Sequence, residues 1–226
     1  MIEGLRRLLW PKKIWNPRLC RPDYVGRHRG RPFLVLGGGP SIRHFSDTIS
    51  RFVSDRNPVV LSANIPHPLW GTSMGHSQYV GFTNRRRLGQ ARIFPSLHGG
   101  SHRDLMTPCL IGPHIPTRHV WMPTWERMPY VNEERPFGVS DGIIQCDCGD
   151  CGSTLIAVAF IMGATAIFVA GMDGYTMTDE AHCYSQPDWT LTGALAHQRR
   201  VHEVLPQMRS LFAALGVGGP TWITPS

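Results

Sequence analysis

Three stretches of this 226-residue chain combine residue types that handle phosphate or move protons. The first is Gly37-Gly38-Gly39-Pro40-Ser41, directly after the apolar run 32–36. A strand that runs into glycines and then a helix leaves backbone N–H groups unpaired at the helix start, where the helix dipole favours an anion. Glycine lets a phosphate approach the backbone, and Ser41 can cap the helix or donate to that phosphate. The spacing is neither G-x-G-x-x-G nor G-x-x-x-x-G-K-[ST], and a tight strand–helix turn without ligand remains an alternative. The second stretch is Cys151-Gly152-Ser153-Thr154, a further helix start of small residues. The third follows the apolar run 166–170: Asp173 and Tyr175, then His182 and Tyr184 in a polar loop. A neutral histidine is a suitable general base near pH 7, with a solvated loop histidine as the plain alternative.

Asn64 and Asn84 each end an apolar, strand-like segment. An amide both donates and accepts, which suits a base or sugar edge, and it equally suits a helix cap. Arg85-Arg86-Arg87 follows Asn84 directly. Three cations at a helix start oppose the dipole, which points to an external anion or to a solvated face. Cys146, Cys148 and Cys151 crowd into six residues. Structural zinc uses repeated C-x₂-C pairs, and only Cys148 and Cys151 make one, so reduced thiols in a turn are expected and no metal is assigned.

The elements that must position these residues follow from apolar runs and turn signals. Strands are expected at 32–36, 58–64, 78–84, 119–122, 166–170 and 221–224, with helices from 41 to about 53, over 153–163 and over 192–215. Pro206 is expected to kink or break the last helix. Continuous apolar strands alternating with helices predict an α/β fold, a doubly wound, mostly parallel Rossmann-like sheet covered on both faces. Residues 90–145, rich in Pro, Gly, His and aromatics, are expected to form loops over a site.

Charge divides the chain in two. The whole carries +7, and residues 1–31 hold all of that excess, so the rest is neutral. The predicted organisation is a basic N-terminal arm, 1–31, and a Rossmann-like nucleotide-binding domain, 32–226. Leu5, Leu8, Leu9, Trp10, Ile14 and Trp15 interleave with the arm's cations. Such an arm can meet an anionic membrane surface or nucleic acid phosphates, or pack on its own domain or a partner subunit. No run reaches 18 apolar residues and no secretory h-region is evident, so a cytoplasmic protein is expected, peripheral at a membrane if the arm binds one.

The ordered set Leu36-Gly-Gly-Gly-Pro40-Ser41, Asn64, Phe82-Thr-Asn84, Gly152-Ser153-Thr154, Gly171-Met-Asp173-Gly-Tyr175 and His182-Cys-Tyr184 resembles one superfamily. Its two branches are the small bacterial lipo-oligosaccharide sialyltransferases and the 6-hydroxymethylpterin diphosphokinase (MptE-like) proteins. The resemblance implies that Gly37 to Ser41 meet nucleotide phosphate and ribose. It implies that Asn64 and Asn84 hold the donor nucleotide, that the helix start at Gly152 and Tyr175 hold phosphates, and that His182 is the base. Cys151 stands where the family has serine, and Tyr184 is the nearest counterpart of a second phosphate-binding tyrosine.

Three functions are therefore expected in turn. The first is metal-independent glycosyl transfer from a nucleotide-activated, CMP-sugar-like donor. The second is Mg²⁺-dependent pyrophosphoryl transfer from ATP to a pterin-like alcohol, with Asp173 as the first candidate ligand and Asp141, Asp147 or Asp150 as helpers. The third is a non-catalytic nucleotide-binding or nucleic-acid-associated module whose basic arm, 1–31, grips phosphates, with a transferase that modifies nucleic acid bases as a variant joining the first and third.

Overall fold

The computed structural model describes residues 24–64, 77–93, 109–120, 125–173 and 191–224. In chain order they form β1 Pro32–Leu36, α1 Ser41–His44, α2 Ser46–Arg56, β2 Val59–Ala63, β3 Ser77–Phe82, α3 Arg85–Ile93, β4 Cys109–Ile111 and β5 Trp125–Arg127. There follow β6 Val139–Ser140, β7 Ile143–Ile144, α4 Cys151–Ile161, β8 Ala166–Ala170, α5 Leu191–Ala214 and β9 Gly218–Trp222. Seven strands make one sheet in the order β5-β4-β3-β2-β1-β8-β9, and every pairing in it is parallel. The chain winds outward from β1 in both directions, so the order reverses between β1 and β8. That is the switch point at which doubly wound sheets open a crevice beyond the carboxyl ends of their strands.

Strand alternation builds two apolar layers. Phe33 and Val35 of β1 face one core with Val59, Leu61 and Leu155, while Leu34 and Leu36 face another with Ile42 and Ile49. Helix α4 is apolar all round, and ten of its eleven residues are buried, so it must be covered on every side. The sheet covers one side; Val204, Met208 and Phe212 of α5 join the same core on the other. Phe160 and Phe212 stack there with centroids 4.4 Å apart. Gly81 lets α4 settle close to the sheet, since a Cβ there would come within 2.8 Å of Leu155 Cδ2.

Residues 24–31 are bonded into this layer. Gly26, His28 and Gly30 N–H donate to the carbonyls of Ile161, Met162 and Gly163 at 2.9, 2.9 and 3.1 Å, which supplies the last carbonyls of α4 with the partners a helix end lacks. Residues 1–23 of the expected arm lie outside the described residues.

Several expectations shift. The first helix breaks at Phe45 into α1 and α2. Helix α5 passes through Pro206 without interruption. The strand expected at 119–122 is absent in its described part: Thr117–His119 is a 3₁₀ turn. Strands β4 and β5 instead lie in the stretch expected to be loops, and the last strand begins at Gly218 rather than 221. Between them, Asp141 and Gly142, both with positive φ, turn the β6–β7 hairpin. Asp-Gly between two strands is the signature of that turn.

Candidate functional site

At the switch point, the loops after β1, β8 and β9 are tied to one another. Gly37 N–H donates to Ala170 O at 2.8 Å and Gly39 N–H to Gly171 O at 2.7 Å. A Cβ on Gly37 would overlap Gly171 O, and one on Gly39 would overlap the Asp173 carboxylate. Asp173 accepts from Ser41 N–H at 2.7 Å and from Ser41 Oγ–H at 2.5 Å. Thr224 Oγ lies 3.2 Å from Ser41 Oγ and accepts from Gly171 N–H at 3.2 Å. The carboxylate thus sits at the helix start where an anion is electrostatically favoured. A phosphate contacting Ser41 N–H has to displace Asp173 or approach from the Gly38 side.

The start of α4 is built in the same way. Asp150, its N-cap, accepts from Ser153 N–H at 2.6 Å, and Thr154 Oγ–H donates to Asp150 O at 2.7 Å. Burial raises the Asp150 pKa against the pull of its Ser153 bonds. Gly152 is buried and has no room for a side chain, because a Cβ would come within 2.9 Å of Met172 Sδ. Met172 precedes Asp173, so the α4 start and the β8 loop are in contact.

Beside this start the carboxyl ends of β2 and β3 converge. The Cys151 thiol donates to Gly81 O at 3.1 Å. Burial pushes its pKa up to about 12, opposed by contacts with the Thr83 and Asn64 backbones. That thiol is protonated near neutral pH. Asn64 adopts a left-handed conformation, φ 66°, its N–H donates to Gly81 O at 2.8 Å, and its buried Oδ1 has no partner among the described residues. A buried amide oxygen left unpaired costs about 1–3 kcal/mol, which a ligand N–H or O–H would recover. Asn84 is used differently: its Oδ1 accepts from Arg86 N–H at 2.8 Å and caps α3.

One polar pair here had no place among the expected site residues. His114, after β4, lies with Nδ1 3.3 Å from Tyr130 Oη. Tyr130 is buried while His114 remains exposed. Desolvation lowers the His114 pKa, against the Thr83 carbonyl and Asp147, so the ring is neutral near pH 7. Burial, then Asp147, Cys151 and Cys148, keep the Tyr130 phenol protonated. Gly112 makes the pair possible, since a Cβ there would come 2.8 Å from Tyr130 Oη and 3.2 Å from His114 Cε1. The available signal was a histidine two residues after a glycine, and it needed β4 to be recognised as a strand.

Cys109, Cys146, Cys148 and Cys151 are buried and form no disulfide. A hydrogen bond from Cys148 holds the Cys146 thiol below its ordinary range, aided by Arg200, and Cys148 rises in consequence. Among the described residues no three His, Cys, Asp or Glu side chains converge to hold a metal. No helix there is long and apolar enough to cross a membrane.

The described residues therefore bring Gly37, Gly38, Gly39, Pro40, Ser41, Asn64, Asn84, Cys151, Gly152, Ser153 and Asp173 to one edge of the sheet, from the ends of β1, β2, β3 and β8 and the start of α4. Tyr175, His182 and Tyr184 lie outside the described residues. Comparison with protein-family models, curated proteins and solved structures finds no match to this chain.

Proposed function

We propose that this chain is a nucleotide-dependent transferase that moves a sugar from a nucleotide-activated donor without a metal ion. The observation that carries the reading is Asn64: a buried amide oxygen without a partner among the described residues, at the carboxyl end of a central parallel strand. Ligands of such sheets bind beyond that edge, and a nucleoside offers the amino and hydroxyl donors that Asn64 Oδ1 lacks. Ser41 N–H at the Gly37–Ser41 turn and Ser153 N–H at the α4 start become donors for phosphates once Asp173 or Asp150 yields. Catalysis would rest on positioning and one base. By resemblance the base is His182, with Tyr175 and Tyr184 on the phosphates.

Thermal unfolding against CMP, CDP, UDP, GDP, AMP and ATP, each with and without Mg²⁺, tests this. A ligand at 100 times its Kd adds about 2.7 kcal/mol. The expected outcome is metal-independent stabilisation by a cytidine or another nucleoside phosphate, lost in Asn64→Gly. Glycine removes the amide yet accepts the left-handed backbone. Stabilisation by ATP only with Mg²⁺ would favour pyrophosphoryl transfer instead, with Asp173 released from Ser41 as the first candidate ligand. No response to any nucleotide removes both enzyme readings and leaves the nucleic-acid-associated module.

A further inference from the structure

Helix α3 opens with Arg85, Arg86 and Arg87 and has no acidic residue in its first turn. Cations at the positive end of a helix are repelled by it. The 3₁₀ turn Thr117–His119 packs across α3 and brings Arg118 and His119, so a second element adds charge of the same sign. Both pieces are held in place from beneath: Leu88 of α3 is buried with Phe82, Ile111 and Ile115, and Val120 packs on the same cluster. The loop between β4 and the turn is fixed as well, since Arg127 donates to Gly112 O and Ile115 O at 2.8 and 2.6 Å.

Within this corner Arg85 and Arg118 are exposed. Among the described residues neither makes an ion pair; the pairs found there are Arg27–Glu126, Arg135–Glu133 and Arg200–Glu203. His119 feels both guanidiniums: desolvation followed by the charges of Arg85 and Arg118 lowers its pKa. Its Nε2 is enclosed, with no partner among the described residues. Cations from two packed elements, with no ion pair to Arg85 or Arg118 among the described residues, are complementary to an anion. Donors from two separate elements suit a tetrahedral oxyanion better than a carboxylate, which a single guanidinium fork can satisfy.

We propose that Arg85, Arg118 and His119 form a binding site for a phosphate group carried by a small molecule, at the carboxyl edge of β3 and β4. The site lies beside Asn84 and His114, on the same edge of the sheet as Asn64. That the phosphate belongs to the second substrate of the transferase rests on the function proposed above; the site itself does not.

Calorimetric titration of the full chain with inorganic phosphate near pH 7 tests the site. Binding is expected to weaken with added salt, and Arg85→Gln and Arg118→Gln each to weaken it about tenfold or more. The double variant should not bind measurably. In the unsubstituted protein the His119 ring resonances should shift with the same Kd, a readout independent of any variant. Absent binding, binding that survives the double substitution, or an unmoved His119 overturns the proposal. The nucleotide panel separates the two readings. Phosphate bound through Arg85 and Arg118 without any nucleotide response upholds the site and removes the transferase; the converse removes the site alone.

Discussion

Gly37 and Gly39 are glycines because another part of the chain comes close to them. Read along the sequence, they let a phosphate near the backbone; in the fold they admit Gly171 O and the Asp173 carboxylate. Gly39→Ala must push Asp173 away from Ser41, breaking bonds of 2.7 and 2.5 Å. The expected cost is about 1–3 kcal/mol, as for other overpacked positions, measured by urea unfolding. Combined with Asp173→Ala, the same substitution should cost clearly less than the sum of the two, because one clash underlies both. Additive costs would show that Gly39 is required for another reason. The same pattern recurs at Gly112, where the missing side chain leaves room for Tyr130 and His114.

Helix α5 shows how packing overrides a local rule. Pro206 lacks an N–H and should break a helix, yet α5 runs from Leu191 to Ala214. Val204, Met208 and Phe212 are buried along one side of it, and their burial against α4 holds both halves in line. Ser210 Oγ–H donates to Pro206 O at 3.0 Å and Gln207 Nε2–H to Glu203 O at 2.9 Å, so side chains bond carbonyls around the proline. Pro206 is exposed, so Pro206→Ala disturbs no core contact and restores a backbone donor. It should stabilise the protein by about 1–2 kcal/mol, the helix gain less the lost stiffness of the unfolded chain. A raised Tm in thermal unfolding checks this; a lowered one would show that α5 depends on the proline's shape. The split of α1 from α2 at Phe45 and the β6–β7 turn at Asp141-Gly142 belong to the same scale. The second carries an Asp-Gly hairpin signal that the expectation of loops over 90–145 passed over; the first carries none, since nothing at Phe45 forbids a helix.

For the molecule as a whole, the histidines set the acid limit. His28 Nε2 bonds Tyr79 Oη at 2.9 Å, and its pKa is lowered by burial and then by Arg31 and Arg27. His114 is lowered as well, first by desolvation. The unfolded value is near 6.5, so between the folded and unfolded values the unfolded chain binds more protons and stability rises with pH. Their contribution is complete above about 6.5 and is lost as pH falls toward the folded values. The Tm should therefore drop between neutral and mildly acidic pH, and His28→Gln should flatten part of that slope. An unchanged slope would mean that His28 does not titrate with folding. His28 belongs to residues 24–31, so this measurement also reports whether that segment stays docked on α4.

Taken alone, the sequence determined the elements whose local pattern has one reading. Apolar runs bounded by glycine specify β1 and β8, one between Pro58 and Asn64 specifies β2, and the run of small and apolar residues after Cys151 specifies α4. From these the doubly wound parallel sheet follows, because strands buried on both faces need helices on both sides. The same reading named residues that do gather at the carboxyl edge, Asn64 and Asp173 among them. The tertiary structure decided what each of them is bonded to. Asp173 lies 132 positions from Ser41 and Cys151 lies 70 from Gly81, and no local pattern encodes such pairings. It decided that Asn84 caps a helix while Asn64 Oδ1 finds no partner among the described residues, although the two look alike in sequence. It also decided that β4 and β5 are strands, since runs of three residues, at Cys109–Ile111 and Trp125–Arg127, carry too little periodicity to register. They are stable because β3 offers an open edge on which parallel pairing can continue.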